Sequence, residues 1–192
     1  MATKSKIYTI KDLDFEYLPV EIVGLTPLIT NRYNKGQTSG KGVEPEDQFK
    51  SSLYELPGGK YGFPSAGFKK GIVRAGTYTG TKTLNMKFLM GVLFVTGEAG
   101  EFCIIDGIPR MREDSVVIHG SRVLKYRAEF PEWKTKIIIE YRKSLIGPET
   151  VYALIRSAGK SCGLGEMRPE KGYTFGRYDL PSNVIEHIMK DA

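Results

Sequence analysis

The stretch KTKIIIEY, residues 134–141, has the composition of a strand at the centre of a sheet. Three consecutive β-branched residues, Ile137, Ile138 and Ile139, lie within it, and such residues favour the extended backbone. A second β-rich run, residues 126–130, precedes it and is joined to it by Pro131-Glu132. The sequence therefore predicts two successive strands, the later of them central.

Helix signals flank these strands on both sides. Downstream, Gly147-Pro148-Glu149 begins a helix that reaches about Ala158, and Gly159 ends it. A strand is predicted at residues 173–180 and a short C-terminal helix at 182–191. Upstream, strands are predicted at 17–26, 60–63, 102–105 and 115–118. Helices are predicted at 44–53 and 65–78, the second with Ser65 as its cap. Residues 85–95, NMKFLMGVLFV, fit a helix and a buried strand equally well.

Without the insertions, the order of elements is strand, helix, strand, strand, helix, strand. This order predicts an α+β fold, a ferredoxin-like βαββαβ core of the kind found in RNA-recognition domains, with inserted loops and a β-hairpin. We expect one domain over residues 1–192. Residues 31–43 are rich in Gly, Ser, Thr and Lys, which predicts a mobile basic loop.

The composition excludes several classes of protein. The chain has 192 residues, 28 Lys and Arg against 22 Asp and Glu, and only two cysteines, too few for a disulfide scaffold or a four-thiolate zinc site. Charges occupy the N-terminus where a signal peptide needs an apolar run, and the longest apolar stretch, residues 88–95, is too short to cross a bilayer. We expect a cytoplasmic protein that binds neither a membrane nor a cofactor.

Positive charge is concentrated in one segment. Residues 56–97 contain no acid and six cations, and residues 22–43 are a second acid-free stretch. Uncompensated cations suit a polyanion such as a phosphate backbone, although a solubility surface is the simpler alternative. The candidate contacts in these two segments are Arg32, Tyr33, Lys41, Ser65, Lys69, Lys70 and Arg74.

A glycine-rich stretch, GLGEMRPEKGYTFGRY at residues 163–178, follows the second predicted helix of the core. Glycines let a backbone approach a ligand and present N–H groups, and arginines donate to phosphate oxygens. A flexible connection whose glycines serve only turns is the alternative. The candidate contacts here are Gly163, Gly165, Arg168, Lys171, Gly172, Gly176 and Arg177.

Three segments resemble a group of bacteriophage proteins: residues 61–76, residues 126–141 and the glycine-rich stretch. Members of that group share an ending similar to GEWRPEKxGxFGRF, in which Met167 here replaces the usual Trp. Residues 63–74 also resemble, more distantly, the strand-to-helix turn of the RAMP superfamily, whose members form the guide-RNA-binding backbone of CRISPR effector complexes. The resemblance implies a ferredoxin-like core that binds RNA or another single-stranded nucleic acid, often in a head-to-tail filament, and for a phage protein it implies the host cytoplasm.

Three functions remain open from the sequence. The leading hypothesis is a non-enzymatic protein that binds single-stranded nucleic acid without sequence preference and forms homo-oligomers along it. The second is a protein-binding module that docks on a phage or host protein, for example as an inhibitor of host defence or an assembly factor. The third is an RNA-processing nuclease centred on His119, which no neighbouring motif supports.

Overall fold

The computed structural model describes residues 13–32, 43–118 and 120–190. Within them the helices are α1 (Pro45–Ser52), α2 (Ser65–Ala75), α3 (Met86–Val92), α4 (Pro148–Ser161) and α5 (Ser182–Lys190). The strands are β1 (Phe15–Gly24), β2 (Leu28–Thr30), β3 (Glu55–Leu56), β4 (Lys60–Pro64), β5 (Leu93–Gly97), β6 (Phe102–Asp106), β7 (Arg110–Ile118), β8 (Ser121–Phe130), β9 (Lys134–Arg142) and β10 (Tyr178–Asp179). Short 3₁₀ turns lie at Gly76–Tyr78, Lys82–Leu84 and Pro169–Lys171.

Strand β9 is the centre of the larger sheet, as the three isoleucines predict. One edge of β9 pairs antiparallel with β1 along nearly its whole length, and β10 extends the sheet beyond β1. The other edge is shared by β5, which pairs with residues 137–141, and β6, which pairs with residues 134–135. Strands β4 and β3 continue the sheet beyond β6. All of these pairings are antiparallel, so the fold is a mixed α+β fold built on antiparallel sheets.

The core lies between one face of this sheet and helices α2 and α4. Ile137 and Ile139 of β9 are fully buried, together with Phe68 of α2 and Ile155 of α4. Each such side chain contributes about 1.5–3 kcal/mol by leaving water. Trp133 belongs to the same core and donates its indole N–H to the Thr26 carbonyl over 2.9 Å.

A three-stranded sheet of order β2-β8-β7 forms a second layer, and its long hairpin joins β7 to β8. Strand β2 pairs with β8 only over residues 128–130. At the end of that pairing helix α1 covers the same edge, because Gln48 Oε1 and Ser52 Oγ accept hydrogen bonds from the backbone N–H groups of Tyr126 and Ala128. Side chains thus satisfy edge donors that the short β2 does not reach.

Residues 85–95, whose sequence fits a helix and a buried strand equally well, form both structures. Met86–Val92 is helical and Leu93–Gly97 is a strand in direct continuation. The Asn85 side chain begins the helix by accepting a hydrogen bond from the Phe88 N–H over 3.0 Å. The strand then alternates buried and exposed side chains, so the helical and the extended periods follow one another within a single apolar run.

Several predicted boundaries are wrong. Helix α4 does not end at Gly159 but continues to Ser161, and the first positive φ after it is at Gly163. Pro64, not Ser65, is the N-cap of α2, because the strand runs directly into the helix and the Ser65 N–H donates to the Glu101 carbonyl. The predicted strand at 173–180 is reduced to Tyr178–Asp179, since the chain before it follows an irregular path with positive φ at Gly172 and Gly176. The predicted mobile loop at 31–43 lies mostly outside the described residues.

Tyr178 gives a testable consequence of core packing. Its side chain is fully buried between the rings of Phe68 and Trp133, and its hydroxyl has no hydrogen-bond partner among the described residues. An unsatisfied buried hydroxyl costs about 1–3 kcal/mol. We therefore expect Tyr178→Phe to raise the free energy of unfolding by about 1 kcal/mol in urea titrations.

The matched control is Tyr141→Phe, which removes a hydroxyl that donates to Glu16 Oε2 over 2.9 Å. This substitution should lower the free energy of unfolding by about 1 kcal/mol. Equal losses in the two variants would contradict the assignment of Tyr178 as unsatisfied.

Candidate nucleic-acid interface

A cleft of about 840 Å³ lies between helix α2 and the glycine-rich loop, residues 163–176. Helix α3 contributes Met86 and Met90 to its wall, and Asn31 and Tyr54 line another part of it. The structure brings six of the predicted contacts together here: Lys69, Lys70, Arg74, Gly163, Gly165 and Arg168. Two distant sequence segments thus form one concave surface.

The lining of the cleft combines apolar side chains with cations. Phe63, Val73 and Leu164 are buried in the core and reach the cleft wall. The Tyr54 ring packs against Phe63 at 6.0 Å between centroids, and its burial raises the pKa of its hydroxyl. Such a surface can contact the flat face of a base or another apolar group, while the cations around it attract an anion.

Helix α2 supplies three of the four cations. Lys70 is exposed and forms no ion pair within the described part of the chain. Arg74, four residues later, lies on the same helical face. The Lys69 ammonium lies 4.0 Å from the centroid of the Phe94 ring, and its partial burial lowers its pKa. Lys70 is therefore the cation of this helix that is most available to a ligand.

The glycines of the loop determine its path. Gly163 has a φ of 66° and donates to the Ala158 carbonyl, which ends α4. Gly165 has a φ of 70°, and a Cβ there would collide with the Ile29 backbone oxygen. The Gly172 and Gly176 N–H groups donate to the carbonyls of Pro169 and Pro27. The expected row of N–H groups facing a ligand is therefore wrong for Gly163, Gly172 and Gly176, whose donors are used within the protein.

Arg168 and Arg74 share one carboxylate, Glu170. The Arg168 guanidinium donates to Glu170 Oε2 from Nε over 3.1 Å and from a terminal nitrogen over 3.0 Å, and it also donates to the Gly165 carbonyl. Arg74 Nε lies 3.4 Å from Glu170 Oε1. Glu166 also lines the cleft and lies 3.3 Å from the Lys171 ammonium. The sequence analysis considered only the cations of this loop as ligand contacts, although Glu166 and Glu170 are visible in its GEMRPEK segment.

Several predicted contacts do not line the cleft. They are Ser65, which is buried, and Arg32, Lys171, Gly172, Gly176 and Arg177, which lie outside the cleft lining. The Arg177 backbone instead bonds to Leu25 and Thr26. Arg177 is therefore not part of the cleft that α2 lines. Tyr33, Lys41 and His119 lie outside the described residues.

A network of ion pairs connects the β7–β8 hairpin to the loop. Arg127, whose side chain is only 5% exposed, lies 2.8 Å from Asp114, which is 7% exposed. Arg112 pairs with Asp114 at 2.8 Å and with Glu129 at 2.9 Å. Burial acts to lower the pKa of Arg112, but hydrogen bonds to both carboxylates outweigh it and raise the pKa. Arg127 also lies 3.9 Å from Glu166, so the network reaches the cleft.

Metal ions and thiolate nucleophiles require particular arrangements of His, Cys, Asp and Glu side chains. The described residues contain no group of three or more His, Cys, Asp and Glu arranged to hold a metal ion. Cys103 and Cys162 are unpaired and buried, and burial raises the pKa of their thiols to about 12 and about 11. A thiol with such a pKa is rarely the thiolate nucleophile at neutral pH.

The helices in the described ranges are all too short or too polar to span a bilayer.

Comparison with known proteins supports a likeness of fold. No family model matches the sequence, and no curated protein matches it. The fold is similar to that of a chain in the cryo-EM structure of the Type III-B Cmr-beta bound to cognate target RNA, with a TM-score of 0.52 and 18% sequence identity over 88% of this chain. The match covers 60% of that chain's length. Cmr6 from Pyrococcus furiosus matches with a TM-score of 0.42 and 10% identity, over 88% of this chain and 100% of that one. At the level of the fold, the Cmr-beta match agrees with the distant resemblance to RAMP proteins.

Proposed function

We propose that this chain is a non-enzymatic, RAMP-like phage protein that binds single-stranded nucleic acid, DNA or RNA, without sequence preference. The observation that carries the proposal is the cleft between α2 and the glycine-rich loop. It presents Lys69, Lys70, Arg74 and Arg168 around an apolar lining. Cations position a phosphate backbone without distinguishing sequences, and an apolar or aromatic surface accepts any base.

The order of the strands supports a ferredoxin-like core for this protein. Along the chain the elements β1, α2, β5, β9, α4 and β10 repeat the strand-helix-strand unit twice. In space the four strands follow the order β10-β1-β9-β5 through antiparallel pairs. This interleaving is that of a split βαβ fold. The Cmr-beta structure of similar fold holds target RNA, and we extend nucleic-acid binding to this chain.

The experiment that tests the function is binding to single-stranded DNA and RNA of increasing length, measured by mobility and particle size. We expect binding that weakens steeply with salt, because each phosphate contact releases counterions. We further propose self-association along the strand in the host cytoplasm, for which particles should grow with strand length. Binding without such growth would reject self-association along the strand but would still support strand binding by the cleft.

A protein-docking function is the second candidate, favoured by the carboxylates in the same cleft. Glu166 and Glu170 offset part of its positive charge, and Met86 and Met90 add flexible apolar surface. A protein partner held by apolar contacts would stay bound as salt rises, whereas a strand would dissociate. The salt dependence of the binding affinity for a candidate partner therefore separates the two functions.

A further inference from the structure

Glu170 is a carboxylate that two arginines of the cleft share. Its two carboxylate oxygens face different guanidinium groups, Oε1 that of Arg74 on helix α2 and Oε2 that of Arg168 on the loop. Among the described residues, no other ion pair joins helix α2 to the loop. A carboxylate and a phosphate oxygen pair are recognised by the same forked donors.

We infer that Glu170 is an internal competitor for phosphate: it holds Arg74 and Arg168 together in the free protein and is displaced when a strand binds. This inference rests on the proposed function and adds the residue that controls the affinity of the cleft. Glu170 thereby lowers the affinity of the cleft for anions, because an anion must displace it to reach the two arginines.

The exposure of the three side chains makes the exchange feasible. Glu170 is 27% exposed, Arg168 is 29% exposed and Arg74 is 47% exposed, so water reaches every member of the cluster. Ion pairs at such exposure contribute little to stability, since the solvent screens them. Glu170 lies in the short Pro169–Lys171 turn rather than in a long helix or strand. Its side chain can therefore leave the arginines without unfolding an element.

The alternative role for Glu170 is structural, in that it pre-organises the two arginines for binding. The two roles predict opposite results when the charge is removed. Loss of a pre-organising carboxylate weakens phosphate binding, and loss of a competing carboxylate strengthens it. Glu170→Gln keeps the size and shape of the side chain, and it is therefore the variant that separates them.

The test compares the parent, Glu170→Gln and Glu132→Gln on two probes, a fluorescein-labelled single-stranded dT 20-mer and sodium tripolyphosphate. Glu132 is exposed in a separate groove beside Trp133, so its substitution makes the same change in net charge away from the cleft. We expect Glu170→Gln to bind both probes about five- to tenfold more tightly than the parent, with a steeper salt dependence for the strand. Glu132→Gln should behave as the parent, and melting temperatures should confirm that all three proteins fold.

The two probes distinguish the inference from the function on which it rests. If the parent binds the strand and Glu170→Gln binds neither probe more tightly, or gains no more than Glu132→Gln, the competitor is rejected and the function stands. If Glu170→Gln gains affinity for tripolyphosphate but no variant binds the strand, the competitor stands and the nucleic-acid function fails. If no variant binds either probe, both are rejected.

Discussion

Asp114→Ala is expected to lower the free energy of unfolding by about 3–5 kcal/mol. The substitution leaves the Arg127 guanidinium buried, with its 2.8 Å partner removed and Glu166 the next carboxylate at 3.9 Å. A buried charge without a close partner loses its hydration without compensation. For a chain of this length the loss corresponds to a fall in the melting temperature of about 6–20 °C, measurable by calorimetry.

Two controls define the mechanism of that loss. Arg110→Ala removes another ion pair of the same sheet, Arg110–Glu129. The Arg110 side chain is 65% exposed, so the free energy of unfolding should fall by less than about 1 kcal/mol. Asp114→Leu combined with Arg127→Met removes both charges, and it should be more stable than Asp114→Ala. A melting temperature of Asp114→Ala equal to that of Arg110→Ala would show that the buried pair is not what stabilises the hairpin.

Lys70→Ala combined with Arg74→Ala is expected to produce the largest loss of strand binding. For single strands, each phosphate contact contributes about 0.7 to the slope of log affinity against log salt, so the double variant should lose about 1.4. Affinity should fall equally for all sequences, because phosphate contacts do not read bases. Both side chains are substantially exposed, and the melting temperature should therefore stay nearly unchanged. Fluorescence anisotropy of a labelled 20-mer across a salt series measures the slope.

Arg177→Ala is the matched control for this prediction. The sequence predicts both Arg168 and Arg177 as contacts, whereas the structure leaves Arg177 out of the cleft lining. The variant loses one positive charge without touching the cleft, and it should bind strands as the parent does. Parent-like binding by the α2 double variant would instead reject the cleft as the strand site and favour protein docking.

The parts of the fold that could be predicted from the sequence are those specified by local patterns. The isoleucines of β9 and the Gly147-Pro148 pair at the start of α4 act within a few residues, and β9 and the start of α4 lie where they were expected. The strand predicted at 173–180 failed because long-range hydrogen bonds, such as that from the Gly176 N–H to the Pro27 carbonyl, determine the loop. No local pattern contains such a bond.

The candidate site follows the same division. Lys70 and Arg74 could be placed on one helical face from their spacing, and the cleft includes both. The sharing of Glu170 by Arg74 and Arg168 could not be predicted, because it depends on how α2 packs beside a loop nearly a hundred residues later. The sequence shows which charges exist, and the tertiary packing determines which of them neutralise one another.

The pairing of β1 with β9 has a consequence for how the chain acquires its structure during synthesis. Tyr17 on β1 and its neighbour Glu140 on β9 are 123 positions apart. Strand β1 is therefore synthesised long before its partner, and the central pair of the sheet can close only after residues 134–142 have been translated. Contacts of such long range slow folding because the intervening chain must be ordered first. In the cell, the closure of the central sheet must therefore wait until β9 has been synthesised.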